Sequence, residues 1–215
     1  MPEPRTSGRG AALVVAVTGG IGAGKTSFCE ALAAAPGVQV LDADAFAHAV
    51  LAEPEVVRRV RERFGAAVRD PGGAVHRGRL GEIVFRDAAA RRDLEAIVHP
   101  AVLASMAREV ARLRATPGVA IVLVEIPLLA EVGVPAWCDR VVTVETDPRG
   151  RRERARARGR DADEIERRMA AQASEAERRA IADDVVVNDG DRASLAAAAQ
   201  RLYRAWRLGQ EGGGR

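Results

Sequence analysis

The chain has 215 residues, 47% of them hydrophobic, and a formal net charge of +3. That length and apolar content allow one domain with a sizeable core, and no apolar run reaches the roughly 20 residues of a membrane-spanning helix. Two widely separated cysteines, Cys29 and Cys138, and three histidines, His48, His76 and His99, at no metal-ligand spacing speak against a disulfide framework and a zinc site.

In chain order, a polar, Gly- and Pro-rich start predicts a disordered tail over 1–11. The apolar run 11–17 is too short for a secretory signal and lacks its cleavage site. Its β-branched part, 13–17, predicts a buried strand, 19–24 a loop, and 25–35 a helix ended by Pro36 and Gly37. A second strand is expected over 38–41, with Asp42 and Asp44 at its C-terminal end. The block 45–115 is rich in Ala, Arg, Glu and Leu with helical periodicity, broken by a turn at 70–73, and Pro100 is expected to kink or divide its last helix. Strands return over 119–125 and 140–144, a charged helical stretch follows over 149–181, then a strand at 185–187 and a helix over 192–207. A disordered tail is expected again over 209–215. Strands separated by helices imply a parallel sheet covered on both faces. The expected fold is therefore α/β: a P-loop NTPase three-layer sandwich over 12–208, with a helical substrate-binding insertion over 45–115 and a helical lid over 148–175.

Residues 19–26, GGIGAGKT, match GxxxxGK[ST] without a gap. Glycines let the backbone turn successive N–H groups toward phosphate oxygens, and the next helix adds its positive N-terminal end. In that pattern Lys25 reaches the β- and γ-phosphates and the Thr26 hydroxyl ligates Mg²⁺. Of the 33 basic residues only Lys25 is a lysine. A compact ammonium fits between backbone amides where a planar guanidinium does not, which gives that exception a physical reason. A dinucleotide loop is excluded because GxGxxG fails at its sixth position, which is Lys25 counted from Gly20 and Ser27 counted from Gly22. A guanine-specific NKxD motif is excluded because no second lysine exists.

Asp42 and Asp44 could face one way from a strand end and accept a proton from an attacking hydroxyl; Asp44 could instead cap the following helix. Arg149, Arg151, Arg152, Arg154, Arg156, Arg158 and Arg160 crowd one segment. They read as a solvated helix face, as a nucleic-acid patch, or as a lid closing over a triphosphate. Acidic residues follow at once and no aromatics interleave, which disfavours nucleic acid, and the phosphate loop upstream favours the lid.

Several ordered motifs go further: VTGGIGAGKT at 17–26, LDADAFAH at 41–48, RGRLGEIVF at 77–85, IVHP at 97–100, EIPLLAE at 125–131, CDRVVTV at 138–144, RRMAAQ at 167–172 and ADDVVVND at 182–189. In this order, over about 13–188, they resemble the dephospho-coenzyme A kinases, the last enzymes of coenzyme A biosynthesis. The resemblance implies ATP-dependent phosphorylation of the ribose 3′-hydroxyl of dephospho-coenzyme A, with ATP and Mg²⁺ bound. It implies ATP contacts from Gly19, Gly20, Ile21, Gly22, Ala23, Gly24, Lys25, Thr26, Ser27 and Asn188, and a metal contact from Thr26. Asp44 is then the base or orienting group, Arg154 the lid arginine beside Lys25, and Arg77, His99, Pro100 and Glu131 the remaining acceptor contacts. His99 could equally be a helix-bound histidine with a satisfied hydrogen bond. Gln172 falls where the family keeps its glutamine. The chain departs from the family at Gly81, where Arg is common and Arg79 is the candidate substitute, at Ala130, in place of an aromatic, and at Glu125, in place of Asp. A cytoplasmic monomer acting on small molecules, not on nucleic acid or membranes, is expected. The rival readings are another small-molecule kinase of this architecture and a nucleotide-gated nucleic-acid-binding protein.

Overall fold

The computed structural model describes residues 11–70, 72 and 74–212. The expected N-terminal tail lies outside these residues except for residue 11. Within them the chain divides into two units, one made of the chain up to Asp42 and from Val110 onward, the other of Ala43–Glu109.

The first unit is built on five parallel strands: β1 (Leu13–Thr18), β2 (Val38–Asp42), β3 (Ile121–Glu125), β4 (Arg140–Glu145) and β5 (Asp184–Val187), in the order β2-β3-β1-β4-β5. The central strand reads LVVAVT and every residue of it is buried, as a strand covered on both faces requires. Val15, Val17, Leu123, Val142 and Val144 form the core with Phe28, Cys29 and Leu32 of α1 (Lys25–Ala33) and Leu195, Ala199 and Trp206 of α10 (Arg192–Gly212). Burying a Val or Leu side chain contributes about 1.5–3 kcal/mol, so Ala, Val and Leu can supply this core with few aromatics. The last helix runs to Gly212, four residues into the stretch from 209 for which a tail is expected; residues 213–215 lie outside the described residues.

Between β4 and β5 come α7 (Pro148–Ala157), α8 (Ala162–Ala171) and α9 (Glu175–Ile181). Each starts at a polar cap that the sequence supplies. Asp147 accepts from Gly150 N–H, Asp161 from Glu164 N–H, and Ser174 forms a capping box with Glu177. The short α6 (Leu129–Val132) follows β3.

The second unit is helical: α2 (Ala43–Val50), α3 (Pro54–Phe64), α4 (Arg77–Arg86) and most of α5 (Ala88–Arg114). A one-turn 3₁₀ helix, Gly65–Val68, precedes the turn expected at 70–73. Arg69 and Val75 bridge antiparallel around that turn, and Asp70 accepts from Ala74 N–H at 2.7 Å; Pro71 and Gly73 lie outside the described residues. Pro100 does not divide α5, which is continuous through it. Its missing N–H removes one helical hydrogen bond, but buried Val98, Val102, Met106 and Val110 recur every four residues and hold one face of the helix in place.

Candidate active site

Helix α1 begins directly behind the Gly-rich loop. Its N-cap is Gly24, with φ 103° and no side-chain cap, so the first amide donors of the helix are left to a ligand. Lys25 Nζ folds back over the loop and donates to the carbonyls of Gly19 at 2.9 Å and Gly20 at 3.2 Å. Burial pulls the Lys25 ammonium below the 10.5 of a free lysine, against the opposing pull of the Glu125 carboxylate. The next residue, Thr26, donates its hydroxyl to Glu125 Oε1 at 3.1 Å. Glu125 ends β3 and is paired in register with Asp42, which ends β2. Two carboxylates and a hydroxyl thus stand at the C-terminal edge of the sheet beside the loop, the edge where open α/β sheets bind ligands.

On its other side the loop is held by residues from far along the chain. Asn188, buried after β5, donates Nδ2 to the Ala23 carbonyl at 2.7 Å. Arg154 of α7 donates Nη2 to the Asn188 carbonyl at 2.8 Å and lies 3.5 Å from Ala23 O through Nη1. The structure therefore brings together two of the residues singled out in the sequence, Asn188 and Arg154. Beside them a cavity of about 320 Å³ is lined by residues 146, 147, 149, 150, 153, 154 and 189, among them Arg149, Arg154 and Asp189. Asp189 shapes its floor by accepting from Thr146 Oγ1 at 2.9 Å and Asp147 N–H at 3.2 Å.

The turn joining α8 to α9 makes a third set of contacts. Gln172 accepts from Ile21 N–H at 2.8 Å, so the Ile21 amide meets the residue that ends α8. Glu131 of α6 accepts from Ala173 N–H at 2.8 Å, which ties the PLL motif to this turn. Arg178 donates to the Ala173 carbonyl and forms a two-pronged ion pair with Glu145 at the end of β4. Arg151 of α7 donates to the Ile21 carbonyl and to Gln172. Arg178 and Glu145 were not singled out by sequence reasoning, and Arg151 was named only within its arginine cluster, where nothing marks which side chains turn inward.

Of the residues expected on the acceptor side, Asp44, Arg77, His99 and Pro100 lie in the helical unit and Glu131 in the other. Asp44 is the second residue of α2, in its first turn. The expectation that Asp42 and Asp44 share the face of one strand is thereby corrected: β2 stops at Asp42 and the chain turns helical at Ala43, so the period of two no longer applies. A cap at Asp44 is likewise overtaken, because the helix has already started. Arg77 opens α4 and is exposed, with His76 as its N-cap accepting from Arg79 N–H at 3.3 Å. His99 is partly buried and Pro100 exposed, both inside α5. Arg79, the candidate substitute at the Gly81 departure, reaches the Arg69 carbonyl at 3.5 Å.

The model of the family described as dephospho-CoA kinase matches residues 13–194. The dephospho-CoA kinase of Anaeromyxobacter dehalogenans is 44% identical over 200 residues, covering 92% of this chain and 93% of that one. The crystal structure of TT1252 from Thermus thermophilus superposes with a TM-score of 0.74 at 32% identity, covering 91% of this chain and 98% of that one. The dephospho-CoA kinase structure from Campylobacter jejuni shares the fold, with a TM-score of 0.62 at 23% identity, over 90% of this chain and 96% of that one.

Proposed function

The chain belongs to the dephospho-CoA kinase family, and we propose how its residues share the family's reaction, the ATP-dependent phosphorylation of dephospho-coenzyme A that completes coenzyme A biosynthesis. The observation that carries the assignment is the arrangement of Lys25 and Thr26 at an uncapped helix start, with Glu125 against the Thr26 hydroxyl.

ATP lies with its phosphates along 19–27. Lys25 leaves the Gly19 and Gly20 carbonyls for the β- and γ-phosphate oxygens and neutralises charge that develops between them. Asn188 fixes the loop at Ala23, and Arg154, held on the same two carbonyls, is the lid arginine that meets the transferring group when α7 and α8 close. The adjacent cavity, at about 320 Å³, is of a size to take the base of the nucleotide.

Mg²⁺ fits the donors present. Thr26 and Glu125 offer hard oxygens, and such a site needs only one or two protein ligands because the ion keeps water and phosphate around it. Bound there, the ion would supply positive charge against the charge that develops on the phosphates. Thr26 would hold the ion, and Glu125 orients the Thr26 hydroxyl toward that role.

Asp44 takes or orients the proton of the ribose 3′-hydroxyl, while Arg77, His99, Pro100 and Glu131 hold the acceptor. Glu131 has a second task, since its carboxylate also holds the turn at Ala173. The arginine cluster does not serve nucleic acid in this reading. Arg149 pairs with Glu153, Arg152 with Glu166 and Arg160 with Glu164, which neutralises the face the cluster would present. The chain is read as a cytoplasmic monomer, and both cysteines are buried thiols that suit a reducing compartment. Among the described residues no helix is long and apolar enough to cross a membrane.

A coupled ADP-release assay offering dephospho-coenzyme A, AMP, adenosine and shikimate tests the reading. Turnover on dephospho-coenzyme A alone is expected; faster turnover on AMP or shikimate would replace it.

A further inference from the structure

Arg151 stands apart from its neighbours. Arg149, Arg152 and Arg160 spend their charge on glutamates at the surface, whereas Arg151 turns inward and is 9% exposed. Its Nε donates to the Ile21 carbonyl at 3.1 Å and its Nη2 to Gln172 Oε1 at 3.1 Å. That same oxygen accepts from Ile21 N–H at 2.8 Å. The three contacts close a ring: Ile21 N–H to Gln172, Gln172 to Arg151, and Arg151 back to Ile21 C=O. Both polar groups of one loop residue are thus held by two lid residues, one from each end of the α7–α8 segment.

The backbone nearby is cut to fit this arginine. A Cβ on Gly20 would lie 2.4 Å from Arg151 Cζ, so the guanidinium rests flat where a side chain would project. A Cβ on Gly22, whose φ is +73°, would lie 2.2 Å from the Arg151 carbonyl. Two glycines of the phosphate loop therefore make room for α7 as well as for phosphate. The contact also places a permanent cation beside Lys25, because a guanidinium stays charged even when burial works against it.

We propose that Arg151 is a positioning residue for the phosphate loop: with Gln172 it locks the two peptides on either side of Ile21 and so sets the direction of the amides that follow, without touching the transferred phosphoryl group. The proposal rests on the ATP site assigned above. It also makes the lid a sensor of the loop, since α7 and the α8–α9 turn both bear on one residue. A lysine cannot reproduce the contact, because one ammonium cannot span the Ile21 carbonyl and Gln172 in the planar geometry of a fork.

The test compares wild type with Arg151→Lys, Arg151→Met, Gln172→Ala and the double variant Arg151→Met/Gln172→Ala. ATP affinity is measured by calorimetry without acceptor, and KM and kcat with dephospho-coenzyme A. Both Arg151 variants are expected to weaken ATP binding roughly tenfold or more, the scale of a misplaced binding group, and to leave KM for dephospho-coenzyme A within about twofold. The double variant should bind ATP no worse than the weaker single variant, because both side chains act through one residue and bond each other. Unchanged ATP affinity in Arg151→Lys overturns the proposal. So does a double variant whose losses multiply, and so does a fall in kcat with ATP affinity intact, which would put Arg151 on the transferring group. If Arg151→Met does not fold, Arg151→Lys decides. ATP binding is read without acceptor, so a wild type that ignores dephospho-coenzyme A would fail the substrate assignment and leave this test standing.

Discussion

Arg178 and Glu145 face each other through two parallel hydrogen bonds, Nε to Oε1 at 2.7 Å and Nη2 to Oε2 at 2.6 Å, with side chains only 3% and 2% exposed. Thr143 Oγ1 adds a third bond to the carboxylate at 2.6 Å. The pair pins α9 to the end of β4 and, through the Ala173 carbonyl, holds the turn that carries Gln172.

Removing one partner of such a pair strands the other charge in the core, which costs about 3–5 kcal/mol. Arg178→Met should therefore lower the urea midpoint of unfolding steeply. Adding Glu145→Leu should recover much of the loss, because a buried pair replaced by apolar groups is often close to neutral. Urea titrations followed by circular dichroism check both. A double variant as unstable as the product of two independent losses would show that the pair is not the reason for the cost.

Lys25 should make ATP binding sensitive to alkaline pH. Burial sets its pKa below 10.5 in the free enzyme, and triphosphate pulls it back up, since negative charge favours the ammonium. The sign follows: affinity is full while the free enzyme's Lys25 is protonated, and it falls as pH rises through that lowered pKa toward the bound value. Between the two values binding takes up a proton. Calorimetry in two buffers of different ionisation heat measures that uptake. Lys25→Arg removes this limb, because guanidinium does not titrate there, and should also turn over poorly because a wide fork replaces a point charge. Lys25→Ala should abolish nearly all turnover with the fold intact.

Arg154 and its neighbours should separate in kinetics. Arg154 lies on the Asn188 and Ala23 carbonyls at the loop, whereas Arg156 and Arg160 are exposed. An arginine that meets the transferring phosphoryl group is worth about 10³–10⁵ in rate. Arg154→Ala should lower kcat far more than Arg156→Ala or Arg160→Ala. Equal small losses at all three positions would return the cluster to a solvated face.

Asp44 and Asp42 can be told apart by Asn substitution, which keeps size and removes the proton acceptor. General-base help is worth about 10²–10⁴. Asp44→Asn should drop kcat at least about a hundredfold with the melting temperature nearly unchanged and ATP still bound. Asp42→Asn should be milder, because Asp42 ends β2 opposite Glu125 and is left a supporting role. Normal turnover in Asp44→Asn would sink the role, and a larger loss in Asp42→Asn would transfer it.

What the sequence determined by itself is local or strongly patterned. The continuous apolar runs at 13–17 and 121–124 can only be strands covered on both faces. GGIGAGKT followed by a helical period states its chemistry in eight consecutive residues. The charged helical stretch expected over 149–181 is instead three helices, which start at the caps Asp147, Asp161 and Ser174. Read as a helix divider, Pro100 misleads, because its lost hydrogen bond is local, while the burial of Val98, Val102, Met106 and Val110 depends on what packs there. Asp44 misleads for a related reason: where a strand gives way to a helix is settled by one residue, and pattern rules blur boundaries by more than that. Only the tertiary structure could decide which arginines serve the site. Arg151 and Arg149 are the same side chain two residues apart, yet one locks Ile21 and the other pairs with Glu153 in water. Their difference is the face of α7 on which each falls and the loop, some 130 residues earlier in the chain, that meets that face. Contacts of that separation follow from the packing of the whole sheet, and no run of neighbouring residues encodes them.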